Sequence, residues 1–396
     1  MSSLAAEVTE EKREKQQDGE IRDLIYLAAC ALHDRTPDPG RIRTMDLDAV
    51  LRTAKKHMLS SAAGMALARA GVKHAGFAHA VSVAVRRAAL FSMERDKVLE
   101  ALEQREIWHM PLKGSVLGGL YPRFGMREMS DVDILFDSAR ARDVRECMEG
   151  FGYTTESFGE DNHDVYTKKP SLSFEMHKSL FHPFYGREGN YYRNVYERLL
   201  PVEGSKYGRQ FTPEDFYLFL AAHEYKHFMN GGTGLRSVAD NYLFLSKYGK
   251  TLDMHYIGEE AEKLGIAEYE RTGRMLALHL FGNPPGEKDP AELPDKAELE
   301  MLSYIAGSGA YGRFDQFVES GIERAGSGAG GKLKYVIRRL GLSANNLKEY
   351  HPVIWKTRVL VPFWFAFDVM HRLRIHRKDV AKEIRILAKH GKNHKT

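Results

Sequence analysis

The stretch Leu112–Phe136, LKGSVLGGLYPRFGMREMSDVDILF, constrains the fold of this chain more than any other. It sets a Gly-Ser turn after a short apolar run, then two aspartates one residue apart at the entry to a second apolar run. Side chains alternate along a strand, so Asp131 and Asp133 share one face while Val132, Ile134 and Phe136 share the other. Two carboxylates held close on a rigid strand repel each other unless a cation lies between them. Hard oxygen donors suit Mg²⁺, with Mn²⁺ as the second choice. The segment predicts a strand that carries a metal pair, and with it metal-assisted phosphate chemistry.

A third carboxylate is available downstream. In Leu172–His177, LSFEMH, alternation puts Ser173, Glu175 and His177 on one face and Leu172, Phe174 and Met176 on the other. A strand of that pattern beside Asp131–Phe136 would bring Glu175 to the aspartates. Val116–Tyr121, after the Gly114-Ser115 turn, reads as the start of a helix, where backbone N–H groups suit a polyphosphate. Together these parts describe phosphoryl transfer with metals clamping the attacking and leaving oxygens.

The rest of the chain sets this unit between helices. Apolar residues recur at three- and four-residue spacing over Met45–Ala70 and Ala78–Glu106. Strand signals begin at Ile107–Leu112 and recur at Asp131–Phe136, Tyr153–Glu156, Val165–Lys168 and Leu172–His177, with a helix predicted at Ala139–Glu149. Helical periodicity returns at Pro213. This is an α+β layout with a small mixed sheet, and the absence of a long βαβ series argues against a doubly wound fold.

Composition excludes several classes. With 43% hydrophobic and 28% charged residues the chain is an ordinary globular one, and its 396 residues suffice for two or three domains. A net charge of +4 does not by itself point to nucleic acid. Cys30 and Cys147 carry no motif spacing and read as thiols of a reducing compartment. No run of signal-peptide or membrane-spanning length is present, so a cytoplasmic location without a transmembrane segment is expected.

At this point the residues resemble a known family. Leu112-Lys113-Gly114, Arg127, Asp131-Val132-Asp133 and Phe174-Glu175-Met176-His177 resemble the nucleotidyltransferase superfamily with a DNA-polymerase-β-like palm, and more closely its bacterial branch marked by LKG, Arg and D-x-D. His223, Lys226, His227, Gly234, Arg236 and Asp240 match the H-x-x-K-H run of that branch and the G-x-R and Asp that follow it. Tyr335–Arg339 and Tyr350-His351-Pro352 match its C-terminal region.

The resemblance implies an α+β protein: a small mixed β-sheet nucleotidyltransferase palm flanked by helical regions. The expected order is a disordered lead-in over 1–20, an N-terminal helical region over 21–84, the palm over 85–205 and a helical domain over 206–324. A Gly/Ser linker at Ala325–Gly331 opens the last part, 325–396, with its basic helical tail. Asp131, Asp133 and Glu175 would be the catalytic metal ligands, with Glu175 also able to receive the acceptor's proton. Gly114, Ser115, Lys113 and Arg127 would meet the phosphates, and Lys226, His227, Arg236 and Asp240 would line the nucleotide site. The reaction would move an NMP from an NTP, ATP first among them, to an acceptor hydroxyl with release of pyrophosphate.

Other readings of the same residues stand beside this one. His223–His227, HEYKH, matches the zinc-hydrolase pattern H-E-x-x-H, although Lys226 sets a positive charge between the ligands. A palm that binds nucleotide without reacting, acting as a regulatory module, fits the same motifs. Gly326–Lys332 nearly matches a P-loop but has Leu333 where Ser or Thr would hold Mg²⁺. Arg372–Lys395, with nine Lys/Arg against Asp379 and Glu383, suits an RNA-binding or membrane-surface helix or a solvated terminal one.

Overall fold

A computed structural model describes residues 18–182, 186–229, 231–283, 285 and 295–310. The expected linker at Ala325–Gly331, the basic tail and most of the lead-in lie outside the described residues. Apart from the last three residues of the helix that ends at Met229, the elements below lie in one compact unit formed by residues up to Lys226 and from Thr233 to Ala310.

The fold is α+β, as the pattern of elements implied. Helices α1 (18–32), α2 (Pro39–Ile42), α3 (Leu47–His57), α4 (Ser60–Arg69) and α5 (Ala75–Gln104) come first. The sheet region follows: β1 (His109–Pro111), α6 (Gly114–Leu117), β2 (Val132–Phe136), α7 (Ala141–Gly150), β3 (Thr154–Ser157), β4 (His163–Lys168) and β5 (Leu172–His177). Then come α8 (Gly186–Tyr191), the short pair β6 (Leu200–Pro201) and β7 (Arg209–Gln210), α9 (Pro213–Met229), α10 (Leu235–Tyr248), α11 (Met254–Leu264), α12 (Ala267–Phe281) and α13 (Lys296–Ser308).

Two predicted elements differ in instructive ways. The helical stretch over Met45–Ala70 is broken where Met58 turns left-handed (φ 56°) to cap α3. Ser61 opens α4 against the next loop, its N–H donating to Glu128 Oε1 and its hydroxyl to the Gly125 carbonyl. Conversely, α5 runs unbroken for 30 residues across the expected boundary at 84/85. The N-terminal helical region and the palm therefore share a backbone element. Gly125 fixes the loop that crosses it: its φ is +75°, and a Cβ there would lie 2.7 Å from the Val85 Cα.

The five strands run in the order β1-β2-β5-β4-β3, with β2 and β5 parallel and every other pair antiparallel. Alternation decides the faces. Val132, Ile134 and Phe136 join Phe174, Met176 and Tyr166 in one buried cluster with Phe91, Val98 and Leu102 of α5 and Val144 and Met148 of α7. Each fully buried side chain of this size stabilises the fold by about 1.5–3 kcal/mol. On the opposite face Met110 and Leu135 pack with α9 and α10, while the remaining positions carry Asp133, Glu175, His177 and His163.

Candidate active site

The parallel register sets Asp133 directly beside Glu175, and Leu135 beside His177. The N–H of Leu112 donates to the Asp133 carbonyl at 2.9 Å, so the Lys-Gly-Ser turn hangs from the same strand. Lys113 takes φ 41° and ψ −112°, a conformation costly for a non-glycine residue by about 1–3 kcal/mol. In that conformation its ammonium reaches Asp133 Oδ1 at 2.7 Å.

Asp133 is buried, and the same Oδ1 also accepts a 3.0 Å bond from His177 Nε2. Burial alone would raise its pKa, but the Lys113 charge and the His177 bond outweigh that and hold the carboxyl well below its usual range. His177 answers in kind: burial opposes its charged form, yet bonds to Asp133 and Glu175 lift its pKa above the ordinary value. Glu175 is lowered in the same way, the bond with His177 and the Lys113 charge prevailing over burial.

Asp131 lies just before β2, half-buried, with a 3.0 Å bond from the Ser130 hydroxyl to Oδ2. Its pKa is raised, first by burial and then by the negative charges of Asp133 and Glu175. The three carboxylates expected from the sequence therefore feel one another.

These carboxylates fit a hard dication. No described residue donates to Asp133 Oδ2, Asp131 Oδ1 or Glu175 Oε1, so each carboxylate keeps a free donor atom. Lys113 and, in its charged form, His177 offset part of the three negative charges and leave the remainder for a metal ion to neutralise.

The Gly114-Ser115 turn borders a cleft of about 310 Å³ closed on its far side by Phe91, Ser92 and Arg95 of α5. A Cβ at Gly114 would stand 2.6 Å from Arg127 Nη1, so only glycine lets the guanidinium pass. The Ser115 hydroxyl is buried at this turn with no hydrogen-bond partner among the described residues.

Arg127 borders the same cleft, but its guanidinium is engaged with Asp240: Nε to Oδ1 and Nη2 to Oδ2, both at 2.8 Å. The Tyr121 hydroxyl completes the acceptor with a 2.7 Å bond to Oδ1. Arg236 donates to the Glu128 carbonyl at 3.0 Å. Arg127, Asp240 and Arg236, expected to line the nucleotide site, thus form a buried brace between the loop before β2 and helix α10.

Lys226 is exposed on α9, and its ammonium pKa is lowered by desolvation and by the like charge of Lys113. His227 lies outside the compact unit that holds the other residues. Of the H-E-x-x-H pattern, Glu224 is buried, accepts a 2.8 Å bond from Asn241 Nδ2, and is pushed up to about 8, chiefly by burial. Among the described residues the side chains grouped as metal ligands are instead His163, Glu175 and His177.

The strand predicted at Val165–Lys168 begins two residues earlier, at His163, which the prediction therefore leaves out. The alternation His163–Val165–Thr167 puts it on the same face as Glu175 and was the signal available.

The geometry agrees with a comparison against known families. Residues 43–282, more than half of the chain, match the family described as uncharacterised nucleotidyltransferase. The chain belongs to this nucleotidyltransferase family. No match was found among curated proteins or among solved structures. The matched range takes in α3 through α12, so it holds Asp131, Asp133 and Glu175 and the Arg127–Asp240 brace alike. No described helix of this family member is long and apolar enough to cross a membrane.

Proposed function

We propose that this nucleotidyltransferase moves an NMP from an NTP, ATP first among them, to an acceptor hydroxyl. The observation that carries the reading is the pairing of Asp133 with Glu175 on parallel strands, with Asp131 close enough for its proton affinity to rise. Asp131, Asp133 and Glu175 would hold Mg²⁺, which when bound neutralises charge on the phosphates and activates the acceptor oxygen. The acceptor oxygen attacks the α-phosphorus, the bond to the β-phosphate oxygen breaks, and pyrophosphate leaves. The hydroxyl proton passes to the carboxylate cluster, with Glu175 as its acceptor. Gly114 and Ser115 present backbone and hydroxyl to the phosphates, and Lys113 supplies a positive charge once it leaves Asp133. Two buried free cysteines suit a reducing, cytoplasmic setting.

One feature favours a second reading: the Lys113 ammonium already sits on Asp133, as it would in a palm that binds nucleotide without turnover. Pyrophosphate release from each α-labelled NTP, with Mg²⁺ and cell lysate as the source of acceptor, separates the two. Transfer of label by wild type and none by the Asp131→Asn/Asp133→Asn pair supports transfer. Nucleotide binding with no release from any NTP supports the non-reacting palm.

A further inference from the structure

Beside the three carboxylates, strands β4 and β5 bring two histidines together. His163 and His177 are register partners, with ring centroids 5.1 Å apart. Glu175 Oε2 lies 3.9 Å from His163 Nε2 and 3.5 Å from His177 Nε2. One ligand atom from each of the three residues lies within 4.8 Å of the other two. A tetrahedral ion with ligands at about 2.0–2.1 Å has edges of about 3.3 Å, so the two measured edges need only small side-chain movements.

The placement of a proton gives a second, independent indication. Asn162 is buried, and its Nδ2 donates to the carbonyls of Ser179 at 3.0 Å and Leu180 at 3.5 Å. That fixes Oδ1 as the atom 3.3 Å from His163 Nδ1, so the ring's proton sits on Nδ1. The Nε2 lone pair is left facing a carboxylate oxygen with no hydrogen between them. An imidazole that donates one N–H to an oxygen and offers the other nitrogen is set up as a metal ligand.

We propose that His163, Glu175 and His177 form a site for a first-row transition-metal dication, Zn²⁺ in particular. Two imidazoles with one carboxylate favour such an ion over Mg²⁺. The side chains of His163 and Glu175 remain 25% and 28% exposed, which leaves a fourth position open. Binding at His177 Nε2 displaces the proton shared with Asp133: from the doubly protonated ring it goes to solvent, and from the neutral ring it moves to Nδ1. Glu175 serves this site through Oε2 and keeps Oε1 for the Asp131–Asp133 set. The site needs neither nucleotide nor transfer, so it stands or falls apart from the reaction proposed above.

The test is Zn²⁺ affinity of the chelator-stripped, full-length protein without nucleotide, with Co²⁺ absorption reporting nitrogen ligation. One equivalent of Zn²⁺ is expected to bind, weakened at least about tenfold by His163→Gln and, independently, by His177→Gln. Asp131→Asn should stay within about twofold of wild type while abolishing any pyrophosphate release. Thermal unfolding of the metal-free variants establishes that each is folded. Zn²⁺ binding indifferent to both histidine variants, lost instead on His223→Ala, or absent at micromolar concentrations overturns the proposal.

Discussion

Asp133 and Asp240 are both buried aspartates, each paired with a cation and a second donor, and their difference separates a site from a brace. Asp240 is closed: the Arg127 fork takes both oxygens and Tyr121 adds a third bond. Asp133 is open: Lys113 and His177 converge on Oδ1 and no described residue donates to Oδ2. A guanidinium fork satisfies a carboxylate within the protein, whereas a single ammonium and an imidazole leave it able to receive something else. Openness, more than burial or charge, sets Asp133 apart from Asp240.

The comparison breaks most visibly at Asp133. Asp133→Asn should lower pyrophosphate release at least about 10³-fold, roughly 4 kcal/mol of barrier, while the amide oxygen still offers an acceptor to Lys113 and His177. Asp240→Ala should do the reverse in kind. Leaving Arg127 buried and unpaired costs about 3–5 kcal/mol of stability, read as a shifted urea midpoint at an unchanged slope. If Asp240→Ala stays fully stable and Asp133→Asn unfolds, the assignment of brace and site is inverted.

Glu224 sharpens the contrast as a buried carboxylate with an amide partner in place of a cation. Its folded pKa of about 8 lies above the ordinary 4.5, so the folded chain binds the proton more tightly. Stability from this group is full below about pH 4.5 and declines as pH rises to about 8, by an amount on the order of a few kcal/mol. Glu224→Gln should flatten that decline, with the largest gain over wild type above pH 8 in chemical denaturation series. A slope unchanged by the substitution would assign the titration elsewhere. The smallest effect is expected at Ser115. Removing its unpartnered hydroxyl in Ser115→Ala should raise KM for the NTP by only about three- to tenfold, near 1 kcal/mol, without loss of stability.

Much of this was legible in the chain. The alternations Val132–Ile134–Phe136 and Leu172–Phe174–Met176 placed Asp133, Glu175 and His177 on one face, and the strands do pair. What sequence could not supply was partnership at a distance. Arg127 and Asp240 stand 113 residues apart, and nothing local to either shows that they engage each other. His163 was lost to a strand boundary, the least certain part of any periodicity reading. In HEYKH the spacing put two histidines on one helical face but was silent on Glu224, which turns to Asn241 in the core. Each miss concerns a side chain whose environment is set by another element.

The contact of Gly125 with Val85 bears on how tolerance to mutation is read. A methyl group there has no room against the α5 backbone, and the positive φ disfavours it independently. A saturation library scored for function would therefore find position 125 nearly as intolerant as position 133. Purified Gly125→Ala would fail in its yield and melting temperature, whereas Asp133→Asn would fail first in its assay. Lists of intolerant positions mix these two kinds of failure, and only a measured stability tells a hinge pin from a reagent.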